Sequence, residues 1–176
     1  MIRLEGIQKY FNRGTVNESH LFRGFNLDIQ DGDFVSVVGS NGSGKTTMLN
    51  ILCGSLPCDG GRILVDGRDV TALPEHRRAA SIGRVYQDPA MGTVPDMTIL
   101  ENLSLAANKR KPYGFTPAVS RRKAGLFREL VALVGLGLED RMDIPVGSLS
   151  GGQRQALSLL MSTMTPINLL ILVELT

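Results

Sequence analysis

Two short strings in this chain combine residue types suited to gripping phosphate: Gly39-Ser40-Asn41-Gly42-Ser43-Gly44-Lys45-Thr46 and Leu149-Ser150-Gly151-Gly152-Gln153. The first has the form G-x-x-x-x-G-K-[ST]. Its small residues let the backbone wrap until successive N–H groups face one anion, and a helix starting near Lys45 adds its positive dipole end. Lys45 reaches β- and γ-phosphates as a point charge, and the Thr46 hydroxyl is a ligand for Mg²⁺. Thr47 continues the same turn. Such a string arises by chance in a chain this glycine-rich on the order of once in a hundred. The second string offers Ser150 and the N–H groups of Gly151 and Gly152, with Gln153 behind them, as a second anion-facing nest at a helix start. Read alone, it is equally an ordinary serine-capped helix.

The elements that position these strings follow from periodicity. Ile2, Leu4 and Gly6 and the run Leu21–Ile29 read as strands of an antiparallel opening unit, separated by the polar loop Asn12–His20. Phe34–Val38, a β-branched run ending at glycine, predicts a buried strand feeding the first string. Met48, Leu49 and Leu52 fall at helical spacing over Thr46–Cys53, with Gly54 as C-cap. Asp66-Gly67 within Gly61–Val70 signals a hairpin. Ser81–Tyr86 predicts a core strand. Two apolar stripes follow, one through Ile99, Leu100, Leu103, Leu105 and Ala106, the other through Leu126–Val134, joined by the basic link Lys109–Pro117. Ser148 or Ser150 caps the next helix. Ile167–Val173 predicts a closing apolar strand.

Bulk properties narrow the reading. A length of 176 residues suits one domain, and a net charge of +2 gives no electrostatic footprint for nucleic acid or an anionic membrane. The basic pairs and triplets, Arg77-Arg78 among them, read as solvated faces and lack the interleaved aromatics of single-strand binders. Cys53 and Cys58 suggest neither a disulfide framework nor a metal site. The uncharged run Gln155–Val173 approaches the ~20 residues needed to cross a bilayer. However, Thr165-Pro166 breaks it, because proline removes a donor and disfavours helix in the residue before it. The opening Met1–Glu5 does not resemble an apolar leader.

Taken together in this order, the two strings resemble the ATP-binding subunit of the ABC transporter family. The resemblance implies an α/β P-loop NTPase core with an antiparallel β subdomain and a helical subdomain. It divides the chain into residues 1–87, 88–147 and 148–176, the last holding the signature helix and the Walker B strand. It assigns ATP to Gly39–Thr47 and to Ser150–Gln153 of the LSGGQ signature, with Mg²⁺ at Thr46 and Gln87. Gln87 matches the Q-loop glutamine, Phe11 the aromatic that stacks on adenine (Tyr10 being its neighbour candidate), and Lys45 and Glu174 the catalytic positions. Implied partners are a second ATP-binding subunit, head to tail, and transmembrane permease subunits that hold the chain on the inner face of the membrane. No nucleic-acid partner is implied. Import is preferred, since no membrane segment is fused to the domain.

The sequence departs from the family pattern in two ways. Val173 stands where the Walker B aspartate belongs, with Glu174 and Thr176 in register after the apolar run. Loss of that carboxylate predicts weak hydrolysis, because an isopropyl group cannot hold a metal-bound water. Family domains also continue past this point with a D-loop and a switch histidine. The resemblance therefore covers about two-thirds to three-quarters of a domain and implies two apolar strands facing a gap. A non-catalytic module that dimerises on ATP, and an ABC ATPase working outside transport, are the competing readings.

Overall fold

A computed structural model of the chain describes residues 1–86, 88–109, 119 and 121–173. The backbone divides into two compact units, Met1–Ile82 and Gly83–Thr176.

In the first unit, β1 (Ile2–Phe11) pairs antiparallel with β2 (Ser19–Ile29) on one side and β3 (Gly60–Val65) on the other; β4 (Arg68–Asp69) completes the order β2-β1-β3-β4. The turn between β3 and β4 has both central residues, Asp66 and Gly67, at positive φ (49° and 75°). That geometry matches the twist of a tight hairpin, as the Asp-Gly pair predicts. One irregularity reshapes β1. Its pairing with β2 slips between Leu4 and Ile7, where Gly6 sits at φ 60°. The extra residue moves the buried side from Ile2 and Leu4 to Ile7 and Lys9. The helices of this unit are α1 (Lys45–Cys53) and the single turn α2 (Glu75–Arg78). Ile2, Leu4, Ile7, Ile51, Leu52 and Ile63 are buried, each stabilising the fold by about 1.5–3 kcal/mol.

The strand expected over Phe34–Val38 is not formed. Residues 31–40 are exposed throughout and belong to no strand, with Phe34 at 93% and Val38 at 87% of full exposure. A β-branched run becomes a strand only when a neighbour accepts its backbone bonds. Among the described residues none does.

The second unit is helical, with α3 (Ile99–Ala107), α4 (Ala124–Ala132) and α5 (Gly151–Thr163), beside a two-stranded ribbon of β5 (Ile82–Val85) and β6 (Leu169–Leu172). Ile99, Leu103, Phe127, Val131, Leu138, Val146, Leu149 and Leu157 form its core. The buried Asn102 side chain accepts from Val94 N–H and donates to the carbonyls of Val94, Met97 and Thr98, so its polarity is satisfied. Thr98 and Glu101 form a capping box at the start of α3. α5 stops at Thr163, ahead of Pro166, and β6 follows. Among the described residues no helix is long and apolar enough to cross a membrane. Residues 110–118, most of the basic link, lie outside the described part.

Candidate nucleotide site

The loop 39–44 wraps before α1 as its composition dictates. Ser43 N–H donates to Ser40 C=O at 3.2 Å, and Met48 N–H donates to Gly44 C=O at 2.8 Å to begin the helix. Gly44 is the N-cap at φ 95°, ψ 5°, with no side-chain cap. A methyl group there would be strained by φ and would lie 3.1 Å from both Leu21 Cδ2 and Phe22 Cζ. Residues of β2 therefore form the floor beneath the loop. Among the described residues, no backbone acceptor takes the N–H groups of Gly44, Lys45, Thr46 or Thr47. These are the orphan donors of a helix start, pointing where an anion would sit. Lys45 Nζ folds back and donates to Gly39 C=O at 2.6 Å and Ser40 C=O at 2.9 Å. The loop thus presents amides and one ammonium, and among the described residues no acidic side chain pairs with that ammonium.

The far end of α1 is fixed by a residue that composition had placed on the surface. Arg78 is only 4% exposed. Its guanidinium donates to Ile51 C=O at 2.6 Å and Leu52 C=O at 3.2 Å, at the C-terminal end of α1, and to Thr71 and Leu73 carbonyls at 2.7 and 2.9 Å. Burial pushes its pKa below the ordinary arginine value, partly offset by Cys58, Cys53 and Asp69. A cation here adds a charged donor to the last carbonyls of α1, Ile51 C=O also accepting from Gly54 N–H at 3.2 Å, and opposes the negative end of the helix dipole. Nothing in Arg77-Arg78 separates the buried arginine from its neighbour. Only the proximity of the α1 end could have revealed it.

The two aromatic candidates have different environments. Tyr10 stacks on His20 with centroids 3.9 Å apart, and the Arg13 guanidinium carbon lies 4.9 Å from the Tyr10 ring centroid. Phe11 is 37% exposed and lies 5.5 Å from Lys9 Nζ. Lys9 is opposite Phe22 in the β1–β2 register, and the ring of Phe22, buried where Leu21 is half-buried, is one of the two side chains beneath Gly44. Directly opposed residues point to the same side of a sheet. Lys9, and the Phe11 ring above it, therefore share the side of the sheet that carries the loop.

The signature string lies in the other unit. Leu149 is buried in the helical core. Ser150, rather than Ser148, caps α5. Its hydroxyl accepts from Gln153 N–H at 3.3 Å, and its own N–H donates to Gln153 Oε1 at 3.1 Å. Gly151 and Gly152 are exposed, and a methyl at either would meet no other atom within 4 Å. Among the described residues, no packing requires glycine at these positions. Val173 N–H donates to Val85 C=O at 3.0 Å. Its side chain helps line a groove of about 340 Å³ with Val85, Tyr86, Gly152, Gln155, Ala156, Leu159 and Leu172. Gln87 and Glu174 lie outside the described residues.

A family model described as "ABC transporter" matches residues 22–176. The chain is 41% identical over 174 residues to a tyrosine transport ATP-binding protein of Clostridioides difficile, covering 99% of this chain and 69% of that protein. It is 40% identical over 164 residues to a macrolide export ATP-binding/permease protein of Brucella abortus, covering 90% of this chain and 24% of that protein. Among solved structures it resembles a dimeric, post-hydrolysis ATP-binding cassette bound to ADP and Pi, with TM-score 0.74 and 28% identity. The match covers 98% of this chain and 73% of that cassette. The transport names support that reading over the two competing ones, and the cassette carries the P-loop NTPase fold expected from the sequence. This chain belongs to the ABC transporter family and is one of its ATP-binding chains.

Proposed function

We propose that this chain binds Mg·ATP on the Gly39–Thr47 loop and couples that binding to transmembrane transport, with hydrolysis weakened at Val173. The observation that carries the reading is the set of unclaimed amides at Gly44–Thr47 beside Lys45. Backbone donors bind phosphate oxygens without reorganising, and Lys45 exchanges its two carbonyl partners for a β- or γ-phosphate. Phe11 stacks on the base, in preference to Tyr10, whose ring is already occupied by His20 and Arg13.

The remaining assignments follow from the family. Ser150, Gly151 and Gly152 close over the γ-phosphate held by a second ATP-binding subunit, arranged head to tail. Open space at both glycines supports close approach of a ligand. Permease subunits hold the chain at the inner face of the membrane, and import is the preferred direction. Magnesium, when bound, offsets charge on the phosphates. Thr46 would hold it with Gln87 as a further ligand, and Glu174 would orient water and take its proton. Among the described residues no cluster of three acidic, histidine or cysteine side chains is placed to hold a metal. Magnesium would draw on Thr46, Gln87 and the nucleotide's own oxygens. Val173 supplies no carboxylate to that shell, and loss of one preorganised electrostatic group costs ~10²–10³ in rate.

Calorimetry with Mg·ATP, beside phosphate release, tests the reading on the wild-type chain, Lys45→Ala and Val173→Asp. Binding by the wild type, about ten- to a hundredfold weaker in Lys45→Ala, with turnover rising in Val173→Asp, is the expected result. Undiminished binding by Lys45→Ala would overturn the loop assignment.

A further inference from the structure

We propose that Lys9 is a positioning residue for the nucleobase: its buried ammonium, clamped by Pro57 and Asp59, holds the Phe11 ring as the stacking platform of the nucleotide site. This rests on the nucleotide reading above and extends it to a residue that touches no phosphate.

Lys9 is 6% exposed, rare for lysine, whose stem usually reaches water. Its ammonium donates to Pro57 C=O at 2.9 Å and pairs with Asp59 Oδ2 at 3.3 Å. Asp59 is itself stapled to β1 on both sides of Lys9. Its carboxylate accepts from Tyr10 N–H at 2.7 Å, and its N–H donates to Gln8 C=O at 2.8 Å. Backbone bonds therefore fix the counter-ion, which fixes the ammonium. The third neighbour is the Phe11 ring, its centroid 5.5 Å from Nζ and within the range of a cation–π contact. A desolvated ammonium is held strongly by its few partners, since water cannot replace them. Phe11 ends β1, where Asn12 already adopts φ 52°, and a terminal side chain with one exposed flank would otherwise sample several rotamers. The contact sets a fixed charge against the ring, and the 37% exposure of Phe11 leaves surface for a base. Restricting the platform before binding removes an ordering cost from the bound state.

The test compares Mg·ATP with Mg·tripolyphosphate, which lacks the base, by calorimetry on the full chain. Lys9→Met should weaken ATP binding about fivefold and leave tripolyphosphate binding unchanged. Lys9→Arg should restore most of the loss. In Phe11→Ala, adding Lys9→Met should cost nothing further, because both changes remove the same contact. If Lys9→Met does not fold, Asp59→Asn, which keeps an acceptor for Tyr10 N–H while releasing the ammonium, carries the same comparison. Equal losses for both ligands, or independent effects of Lys9 and Phe11, would overturn the proposal while leaving the phosphate loop intact. Failure of the wild type to bind either ligand would remove the nucleotide reading and this inference together.

Discussion

Arg78 donates to the carbonyl of Ile51 at 2.6 Å, twenty-seven residues away, and joins the end of α1 to the segment Thr71–Leu73. Gly54, the C-cap of α1 at φ 85°, leaves the space this requires, because a methyl there would lie 2.9 Å from Arg78 Nε. The helix that follows the glycine loop is thereby pinned at its opposite end by a buried cation.

Replacing Arg78 with alanine removes a charged donor from the carbonyls of Ile51, Leu52, Thr71 and Leu73, of which Ile51 keeps Gly54 N–H, and leaves a cavity. A loss of roughly 2–4 kcal/mol in denaturant unfolding is expected. Arg78→Lys should recover only part of it, since one ammonium cannot reproduce the planar fork.

Lys45→Ala should leave the unfolding midpoint close to wild type, as its two bonds are to exposed loop carbonyls. Loss of a charge-assisted contact should lower Mg·ATP affinity by about ten- to a hundredfold. Calorimetry beside circular dichroism separates the two effects.

Gly44→Ala should damage both properties. The added methyl meets Leu21 and Phe22 at 3.1 Å and must adopt a backbone conformation that costs about 1–3 kcal/mol. A variant retaining wild-type stability and wild-type ATP affinity would show that β2 does not fix the loop.

Ser150→Ala removes the side-chain half of the capping box that starts α5. Stability should fall by about 1 kcal/mol, with Ser150→Thr nearly neutral. An unchanged unfolding midpoint in the alanine variant would mean that the cap contributes nothing.

Acid should loosen the Lys9 clamp. The Tyr10 N–H, with the Lys9 ammonium, holds the Asp59 carboxyl below its usual pKa. Because its folded value is the lower one, the unfolded chain takes up the proton first as pH falls. The contribution to stability is thus complete above the ordinary aspartate value of about 4 and disappears as pH drops through the folded value. Glu101, lowered by Thr98, acts with the same sign. Asp59→Asn should flatten the acid limb of a pH–stability curve, and an identical limb would refute the assignment.

Much of the site could be read from local sequence, because its parts are local. Gly39–Thr46 specifies its own wrap and helix start through small residues and one lysine, within a single turn. Ser150 and Gln153 form their capping box over one helical turn, and Asp66-Gly67 sets its hairpin without outside help. These features depend on backbone sterics and hydrogen bonds between near neighbours, which composition and spacing encode directly.

Other features needed partners distant in the chain. Strict alternation from Ile2 and Leu4 would place Tyr10 on the buried side of β1. The slip at Gly6 transfers that side to Ile7 and Lys9, and brings Phe11 over the Lys9 ammonium. Arg78 reads as a surface cation until α1 delivers Ile51 and Leu52 carbonyls to it. Phe34–Val38 has every residue a strand requires and still forms none, since a ladder belongs to two segments and no described segment supplies the second. Sequence determined the local geometry that can bind phosphate. Tertiary structure decided which cations are buried and which aromatic Lys9 meets, because burial and strand pairing depend on residues brought together from elsewhere.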